Sequence, residues 1–500
     1  MALGLVVTLA GCTAGATDDA GSSPTADSDP AEAAQAVVAT PSDPTVLLDQ
    51  QSPDALAQAT SATFFSSAPL VVIAPADDAR AVDQAAADGD RLHAPVLLSA
   101  AAGDGGALVD EVRRLGARTA LVRGTSEPTP ELPDDVTVVT APGEVPATQA
   151  PRPASGVTVL VPAAPDPALA PGVAAAAATA RTAGATVVPV AGADPRADPA
   201  AITALAQQRP DHVVAVGAGF GPVDRLAARV ATAATGVQLP GGGQVFFPDR
   251  RLVALYGHPG TGSLGALGQQ DLPASIARAR SVAAEYDPLS DVPVVPTFEL
   301  IATVAQGAPG ADGDYSGESS IDDIRPWVEE AGRQGLYVVL DLQPGRASLL
   351  EQAELYQPLL ELPYVGLALD PEWRLGPDQV PLQQIGSVDV AEVNEVTHWL
   401  ADLTVAHQLP QKLLVVHQFR LSMIRGEEAL DLSSDSVAVL VHMDGQGAVP
   451  VKEGTWAAVV GALPPGTPMG WKNFYVMDPY TMSPAETMAE QPIPLMISYQ

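Results

Sequence analysis

The stretch that decides the fold is residues 336–372, LYVVLDLQPGRASLLEQAELYQPLLELPYVGLALDPE. It contains an apolar run at 336–340, a helical pattern at 349–360 and a second apolar run at 365–369. Short apolar runs separated by a helix are typical of parallel strands that are buried on both faces. Asp341 follows the first run and Asp370 follows the second.

The same alternation extends in both directions through residues 249–500. We predict strands at 252–256, 292–298, 336–340, 365–369, 413–416, 437–441, 468–471 and 493–498. Helical patterns separate them at 275–285, 321–331, 349–360, 390–407 and 456–463. Eight strands with intervening helices predict a C-terminal (β/α)8 barrel of the TIM type, in an α/β protein.

Active sites of such barrels lie at the carboxyl ends of the strands. Polar residues follow nearly every predicted strand, and buried polar groups without partners are costly, so a purely structural barrel would not need them. The candidate catalytic residues are Glu372, Asp370, Asp341, Glu299 and Asp444. The candidate substrate-binding residues are His258, Gln343, Trp373, His417, Arg420, His442, Trp471 and Lys472.

Asp370 and Glu372 are the strongest pair among these candidates. Positions i and i+2 of a strand share a face, so both carboxyl groups should point into the barrel mouth. Two close carboxylates do not both ionise freely, and one pKa should therefore rise. A glutamic acid with a raised pKa is suited to donate a proton to a leaving group.

Residues 365–373, an apolar strand followed by Asp-x-Glu and an aromatic residue, resemble the fourth strand of chitinase-like glycoside hydrolase barrels. The resemblance implies that Glu372 is the proton donor and Asp370 its modulator, with Asp341, Glu299 or Asp444 as charge stabiliser or base. Gly366 and Ala368 stand where that family carries further aspartates. Residues 442–444, His-Met-Asp, resemble the sixth strand of the same barrels, with histidine in place of the usual tyrosine.

A second interpretation of the same residues stays open. His258, Glu299, Asp341, His417 and His442 are the ligand types that hold a divalent metal in hydrolytic barrels. The turn 257–260, Gly-His-Pro-Gly, slightly resembles the start of phosphodiesterase barrels, although their Glu-x-Asp ligand pair is missing. We therefore predict no cofactor and keep a divalent metal as the alternative. A purely structural alternative pairs Glu299 and Asp341 with Arg420 or Lys472.

Residues 66–248 show two successive units of short apolar strands and Ala-rich helices, which predicts a Rossmann-like tandem α/β module. Residues 93–99 and 108–124 resemble the second half of the cell-wall-binding repeat of bacterial surface proteins. The resemblance implies docking on a cell-wall polymer. The alternative is a ligand-binding α/β domain of the periplasmic-receptor kind.

The first 65 residues predict how the protein is anchored. Residues 3–10 are apolar and lead into Leu9-Ala10-Gly11-Cys12, which resembles the lipobox of bacterial lipoproteins. Residues 1–12 would then be a signal peptide ending at a lipidated Cys12, the only cysteine of the chain. Residues 13–65 are rich in Ala, Ser, Asp and Pro and predict a disordered tether.

Composition and motifs together predict a lipoprotein on the extracellular side of the cell membrane, within the cell envelope. The net charge of −34 argues against nucleic acid as a partner, because phosphate binding needs Lys and Arg. The expected partners are the outer face of the membrane, through the lipid, and a cell-wall polymer or polysaccharide. The leading hypothesis is a glycosidase-like hydrolase; the alternatives are a non-catalytic wall- or carbohydrate-binding lipoprotein and a metal-dependent phosphodiesterase.

Overall fold

The computed structural model describes residues 34–100, 105–124 and 132–500. Cys12, the predicted signal peptide and the first part of the predicted tether lie outside the described residues. Within the described ranges, no helix has both the length and the apolar character needed to cross a membrane.

The first half of the described chain alternates strands and helices. Its strands are β1 (Ala34–Gln35), β2 (Val37–Val38), β3 (Thr45–Leu48), β4 (Phe65–Ser67), β5 (Leu70–Pro75), β6 (Val96–Ser99), β7 (Thr119–Val122), β8 (Thr137–Val139), β9 (Thr148–Gln149), β10 (Val157–Pro162), β11 (Thr186–Val190) and β12 (His212–Val216). Its helices are α1 (Pro53–Phe64), α2 (Ala79–Leu92), α3 (Gly106–Leu115), α4 (Ala170–Thr182), α5 (Pro199–Gln208) and α6 (Val223–Ala233).

These strands form two four-stranded parallel sheets, in the orders β6-β5-β7-β8 and β11-β10-β12-β3. Two short pairs, β1 with β9 and β2 with β4, accompany them. Helices α1 and α4 pack against each other and contact strands of both sheets. Continuous Val, Leu and Ile runs explain the parallel sheets, because both faces of each sheet are covered.

The prediction of a disordered tether is wrong for residues 34–65. Strand β3 pairs with β12 and completes the second sheet. Helix α1 begins at the N-cap Ser52 and buries Leu56 and Phe64 in a shared apolar cluster. The segment gains its order from these distant partners, which offset the entropy that its composition could not offset alone.

The second half of the described chain begins with strand β13 (Arg251–Gly257). The strands that follow are β14 (Val294–Ala305), β15 (Ser316–Glu318), β16 (Tyr337–Leu342), β17 (Val365–Leu369), β18 (Val388–Asp389), β19 (Lys412–His417), β20 (Ile424–Arg425), β21 (Val437–Met443), β22 (Met469–Asn473) and β23 (Met496–Tyr499). The helices are α7 (Leu272–Ala284), α8 (Ile321–Arg333), α9 (Leu349–Leu355), α10 (Gln357–Leu360), α11 (Val390–Ala406), α12 (Val449–Ala462) and α13 (Pro484–Thr487).

Eight of these strands close into a parallel barrel, so the predicted barrel is confirmed. They follow one another around the barrel in chain order, and β13 pairs with both β14 and β23. Strand β15 extends β14 as an antiparallel neighbour outside the barrel. Each of the eight predicted strands overlaps one barrel strand, because continuous apolar runs are typical of strands covered on both faces.

Alternate residues of the barrel strands form two separate apolar cores. Residues such as Val253, Leu255 and Val338 pack outward against the helices. Residues such as Leu252, Ala254 and Val339 fill the barrel interior, where Phe246 packs edge-on against Tyr337 at the amino-terminal end. The interior is therefore a packed apolar core near the amino ends of the strands.

Candidate active site at the barrel mouth

Each of the eight barrel strands, or the residue directly after it, supplies one polar side chain that projects inward near the carboxyl ends of the strands. These positions continue the inward parity of the apolar interior residues, two residues further along each strand. Three pairs of them are register partners on neighbouring strands, whereas Asp341 and Asp370 each lie two residues beyond the partner of the preceding ring member. They are Tyr256, Glu299, Asp341, Asp370, His417, His442, Lys472 and Ser498, and we call them the mouth ring. All of them are buried.

Gly470 makes room for one member of this ring. A Cβ atom on Gly470 would lie 2.4 Å from Cδ2 of His442, on the neighbouring strand. The missing side chain therefore lets the imidazole lie against the barrel wall. His442 is fixed there by Ser498, whose Oγ is 3.2 Å from its Nε2.

His417 is surrounded by four carboxyl groups from different parts of the mouth. Its Nε2 lies 2.9 Å from Oε1 of Glu299 and 3.8 Å from Oδ1 of both Asp341 and Asp370. Its Nδ1 lies 3.4 Å from Oδ2 of Asp444. The acidic and imidazole residues predicted from separate strands therefore converge at a single place.

A second group of carboxyls lies beside the first. One oxygen from each of Asp370, Glu372 and Asp444 lies within 4.8 Å of the others. The two residues of the Asp-x-Glu pair meet as predicted, but not on a strand. Strand β17 ends at Leu369, and Glu372 lies on a short 3-10 helix, Pro371–Trp373. The turn places Glu372 at the half-buried edge of the cluster.

Tyr256 is a member of the ring that the sequence analysis did not select. Its hydroxyl donates a hydrogen bond of 2.8 Å to Oδ2 of Asp341. The ammonium group of Lys472 lies 3.5 Å from the centre of the Tyr256 ring. Counting every second residue from Leu252 through Ala254 would have placed Tyr256 inside the barrel.

Three carboxyl groups of the cluster have pKa values above the ordinary range. Burial raises the pKa of Glu372 to about 8, and the charge of Asp444 adds to the rise. Burial raises the pKa of Asp341 to about 6, with a further contribution from Glu299. Burial and the neighbouring Asp341 and Glu372 hold the pKa of Asp370 well above its usual value. Burial thus shifts all three groups toward the protonated form, and Glu372 keeps its proton at neutral pH.

Two further carboxyl groups and the two histidines of the cluster also have shifted pKa values. Burial alone would raise the pKa values of Glu299 and Asp444, but His417 outweighs it and lowers both. Burial alone would lower the pKa of His417, yet Asp370 and Glu299 hold it well above its ordinary value. Burial, together with His417, keeps the pKa of His442 well below the usual range. The mouth thus combines ionised carboxylates, an imidazolium and protonated acids.

The cluster leaves many buried polar atoms without a hydrogen-bond partner. Each of these atoms belongs to His417, to one of the carboxyl groups around His417 and Glu372, or to the neighbouring His442. The atoms are Glu299 Oε2, Asp341 Oδ1, Asp370 Oδ1, Glu372 Oε2, His417 Nδ1, His442 Nδ1 and Asp444 Oδ1. Buried groups of this kind normally have partners, and their concentration in one place is typical of a functional site.

Three further predicted residues stand nearer the rim. His258 is held by Ser319, whose Oγ is 3.1 Å from its Nε2. Gln343 accepts a hydrogen bond from the Ala305 amide, and Trp373 is half-buried beside Glu372. These positions are compatible with contact to a ligand above the ring, but they do not belong to the carboxyl cluster. Lys472 and His442 lie in the ring itself.

Two predicted substrate-binding residues are placed elsewhere. Trp471 is wrong as a sugar platform, because Gly470 and Lys472 face inward and the ring between them packs outward against Trp456, 5.4 Å away. Arg420 is exposed and makes no ion pair with Glu299 or Asp341. Lys472 likewise makes no ion pair with a carboxylate among the described residues. The structural alternative therefore fails for Arg420, whereas the charge of Lys472 still favours the ionised forms of Glu299 and Asp341 without a direct ion pair.

A buried brace supports two loops of the mouth. Asp478 accepts hydrogen bonds from the backbone amides of Gly447 and Phe474 and pairs with the ammonium group of Lys452. Lys452 also donates to the Lys472 carbonyl, 2.7 Å away. The loop that follows Asp444 and the strand that carries Lys472 are thus tied to one carboxylate.

No protein-family model matches this chain, and no curated protein matches it either.

Proposed function

We propose that the barrel is a glycosidase-like hydrolase that acts on a polysaccharide of the cell envelope or the environment. The observation that carries the proposal is the meeting of Asp370, Glu372 and Asp444 at the carboxyl end of the barrel, with one oxygen of each within 4.8 Å of the others. A protonated acid beside an ionised carboxylate is the equipment for cleaving a glycosidic bond. Glu372 is the acid and Asp444 the ionised carboxylate.

Each carboxyl group has a distinct role in this proposal. Glu372 lies at the half-buried edge, where it can reach a leaving oxygen, and donates the proton. Asp370 lies next to it, and burial together with the charge of Asp444 raises the pKa of Glu372 and keeps it protonated. Asp444 stabilises or attacks the sugar carbon where positive charge develops. Asp341 and Glu299 lie next to His417 in the floor of the mouth, which is the buried part of the cluster around that imidazole, and they set its net charge.

The spacing of the two key carboxyl groups favours one stereochemical outcome. Retaining enzymes hold their carboxyl groups about 5–5.5 Å apart, whereas inverting enzymes need about 6.5–9.5 Å to admit a water molecule. The nearest oxygens of Glu372 and Asp444 are within 4.8 Å, which leaves little room for a water between them. We therefore propose retention of the anomeric configuration, with Asp444 as nucleophile.

The first half of the chain would place the barrel on its substrate. We propose that it is a Rossmann-like tandem module that binds a cell-wall polymer. We also propose that a lipid on Cys12 holds the protein at the outer face of the cytoplasmic membrane. Arg196 and Arg229 of the module pair with Asp435, which precedes β21 at the amino-terminal end of the barrel. This contact leaves the mouth at the opposite end of the barrel.

Release of reducing sugar ends tests the proposal. The purified chain is incubated with isolated cell walls and a panel of polysaccharides, alongside the variants Glu372→Gln and Glu354→Gln. Glu354 is exposed on α9 and serves as the matched control. We expect the wild type and Glu354→Gln to release products and Glu372→Gln to lose activity by about 100-fold or more. Saturable binding without product in all three would support the non-catalytic alternative instead.

A metal-dependent phosphodiesterase remains a second candidate because one specific observation favours it. Asp341, Asp370 and His417 each place a ligand atom within 4.8 Å of the others. His258, the residue of the phosphodiesterase-like turn, bonds to Ser319 and to its own turn. Release of phosphate esters from model diesters, abolished by a chelator, would separate this candidate from the glycosidase.

A further inference from the structure

We infer that the floor of the barrel mouth is a binding site for one divalent cation, held by Asp341, Asp370 and His417. The three residues lie at the carboxyl ends of the neighbouring strands β16, β17 and β19, and their ligand atoms lie within 4.8 Å of one another. Nε2 of His417 is 3.8 Å from Oδ1 of Asp341 and 3.8 Å from Oδ1 of Asp370. The site lies below Glu372, and the inference does not depend on whether the barrel cleaves sugars.

The two carboxylate oxygens that face this point lack hydrogen-bond partners. Asp341 uses Oδ2 to accept the Tyr256 hydroxyl, which leaves Oδ1 buried and without a hydrogen bond. Oδ1 of Asp370 is also buried without a hydrogen-bond partner. A buried carboxylate oxygen without a partner is costly, and a cation would satisfy both oxygens at once.

The spacing matches what a small cation needs. Metal–ligand bonds of about 2.0–2.2 Å place neighbouring ligand atoms about 3.0–3.6 Å apart in tetrahedral or octahedral sites. The observed 3.8 Å spacings need to shorten by only a few tenths of an ångström. Oε1 of Glu299 hydrogen-bonds to the same Nε2 at 2.9 Å, and the cation would displace the proton that this pair shares.

The charge of the cluster also calls for a cation. Five buried or half-buried carboxyl groups face two basic groups, His417 and Lys472, and the protons on Glu372 and Asp370 offset part of this excess when no cation is bound. The described residues give Lys472 no ion pair with any of these carboxylates, and its ammonium group lies over the Tyr256 ring. Burying excess negative charge is expensive unless it is neutralised. A divalent ion in the floor would neutralise it where the carboxylates are closest.

A second cluster of acidic residues, which lies between β14 and the end of β15, serves as a comparison. Asp312, Asp314 and Glu318 also bring ligand atoms within 4.8 Å of one another. Asp312 and Glu318 are exposed, and both aspartates accept backbone amides of their own loop. None of their oxygens is a buried atom without a partner. This group therefore needs no cation and serves as the control.

The ligand chemistry indicates a cation of intermediate hardness. Carboxylates suit Mg²⁺ and Mn²⁺, whereas imidazole suits Zn²⁺ and iron. Two carboxylates with one imidazole fit Mn²⁺, which accepts both donor types. Mn²⁺ is also visible by electron paramagnetic resonance, so it is the probe of choice.

The experiment titrates Mn²⁺ into the full chain after dialysis against a chelator. Free Mn²⁺ is followed by electron paramagnetic resonance, and thermal unfolding is recorded with and without the ion. We expect one tightly held Mn²⁺ per chain and a higher melting temperature. The variants Asp341→Asn and His417→Gln should weaken the affinity by about 100-fold or more. Asp312→Asn should leave it unchanged, and circular dichroism without the ion checks that each variant is folded.

Two outcomes would overturn the inference: wild-type protein that takes up no Mn²⁺, and uptake that is lost with Asp312→Asn but kept with Asp341→Asn. Glu372→Gln separates this inference from the proposed hydrolase. It should abolish sugar release and retain the bound Mn²⁺. Sugar release without any bound Mn²⁺ would refute the cation site and support the glycosidase. Bound Mn²⁺ without any sugar release would refute the glycosidase and support the cation site.

Discussion

His417 and Glu299 form a buried pair across the barrel mouth, with Nε2 2.9 Å from Oε1 and neither side chain exposed. Removing one partner of a buried ion pair leaves the other charge without compensation. We expect His417→Ala to lower the free energy of unfolding by about 3–5 kcal/mol, measured by urea denaturation at neutral pH. His398→Ala removes an exposed histidine that pairs with Asp431 and should cost about 1 kcal/mol or less. Equal losses in the two variants would contradict the buried pair.

Glu372 should make stability depend on pH in a chelator-treated protein. Its pKa rises from an ordinary 4.5 to about 8 in the folded chain, chiefly through burial. A raised folded pKa contributes stability that is present below the unfolded pKa and is lost as pH rises through the folded value. The free energy of unfolding should therefore fall between about pH 5 and about pH 9, and fall less steeply in Glu372→Gln.

The comparison of the two proteins isolates this effect from other groups. Asp341 and His417 also have raised pKa values and act in the same direction in both proteins. Lys412, whose pKa burial lowers to about 7, acts in the opposite direction at higher pH. Denaturant curves at a series of pH values measure the difference, with Glu354→Gln as the control. Parallel curves for the wild type and Glu372→Gln would exclude a shifted Glu372.

The close approach of Gly470 to His442 predicts a steric penalty. A Cβ atom in Gly470→Ala would lie 2.4 Å from the His442 ring and would push it out of the mouth ring. We expect a loss of about 1–3 kcal/mol in the free energy of unfolding. Gly461→Ala, on the exposed face of α12 with nothing near the added methyl, should be neutral or stabilising by up to about 1 kcal/mol. Thermal unfolding of both variants checks the contrast, and a neutral Gly470→Ala would refute it.

Tyr256 should stabilise the mouth through a single hydrogen bond. Tyr256→Phe keeps the ring under Lys472 but removes the donor to the buried Asp341. A buried acceptor left without its donor costs about 1–3 kcal/mol. We expect that loss in chemical denaturation, with Tyr480→Phe, at an exposed tyrosine bonded to Glu486, close to the wild type. A wild-type value for Tyr256→Phe would show that Asp341 does not need this donor.

The barrel and most of the cluster could be predicted from the sequence for one physical reason. Each barrel strand is a continuous apolar run, and the carboxyl ends of parallel strands meet at one end of a barrel. Glu299, Asp341 and His417 could therefore be placed together from their positions at strand ends. The Asp-x-Glu pair was placed correctly in the mouth, although the structure turns it through a 3-10 helix.

The failures come from partners that are distant in sequence or from side-chain direction. Strand β3 lies in a stretch of low hydrophobicity and is ordered by β12, which follows more than a hundred residues later. No local pattern reveals such a partner. Trp471 and Tyr256 were both misjudged because strand-end position was considered without the alternation of inward and outward side chains. That alternation turns Trp471 toward the helices and Tyr256 toward the mouth.

Asp435 should couple the first half of the chain to the barrel. Its carboxylate is 2.6 Å from the Arg229 guanidinium and 3.0 Å from that of Arg196, and both arginines are largely buried. Asp435→Asn leaves Asp194 as the remaining ion-pair partner of the two arginines, so the interface should weaken by about 1–3 kcal/mol, less than for a fully buried pair because Asp435 is partly exposed.

Differential scanning calorimetry of the full chain measures this coupling. Wild-type protein should unfold with overlapping transitions, and Asp435→Asn should separate them, because each half then unfolds with less support from the other. Asp110→Asn breaks an exposed pair with Arg113 on α3 and should leave the calorimetric profile unchanged. A profile for Asp435→Asn that matches the wild type would mean that the apolar contacts, and not these ion pairs, hold the barrel against the α/β sheets.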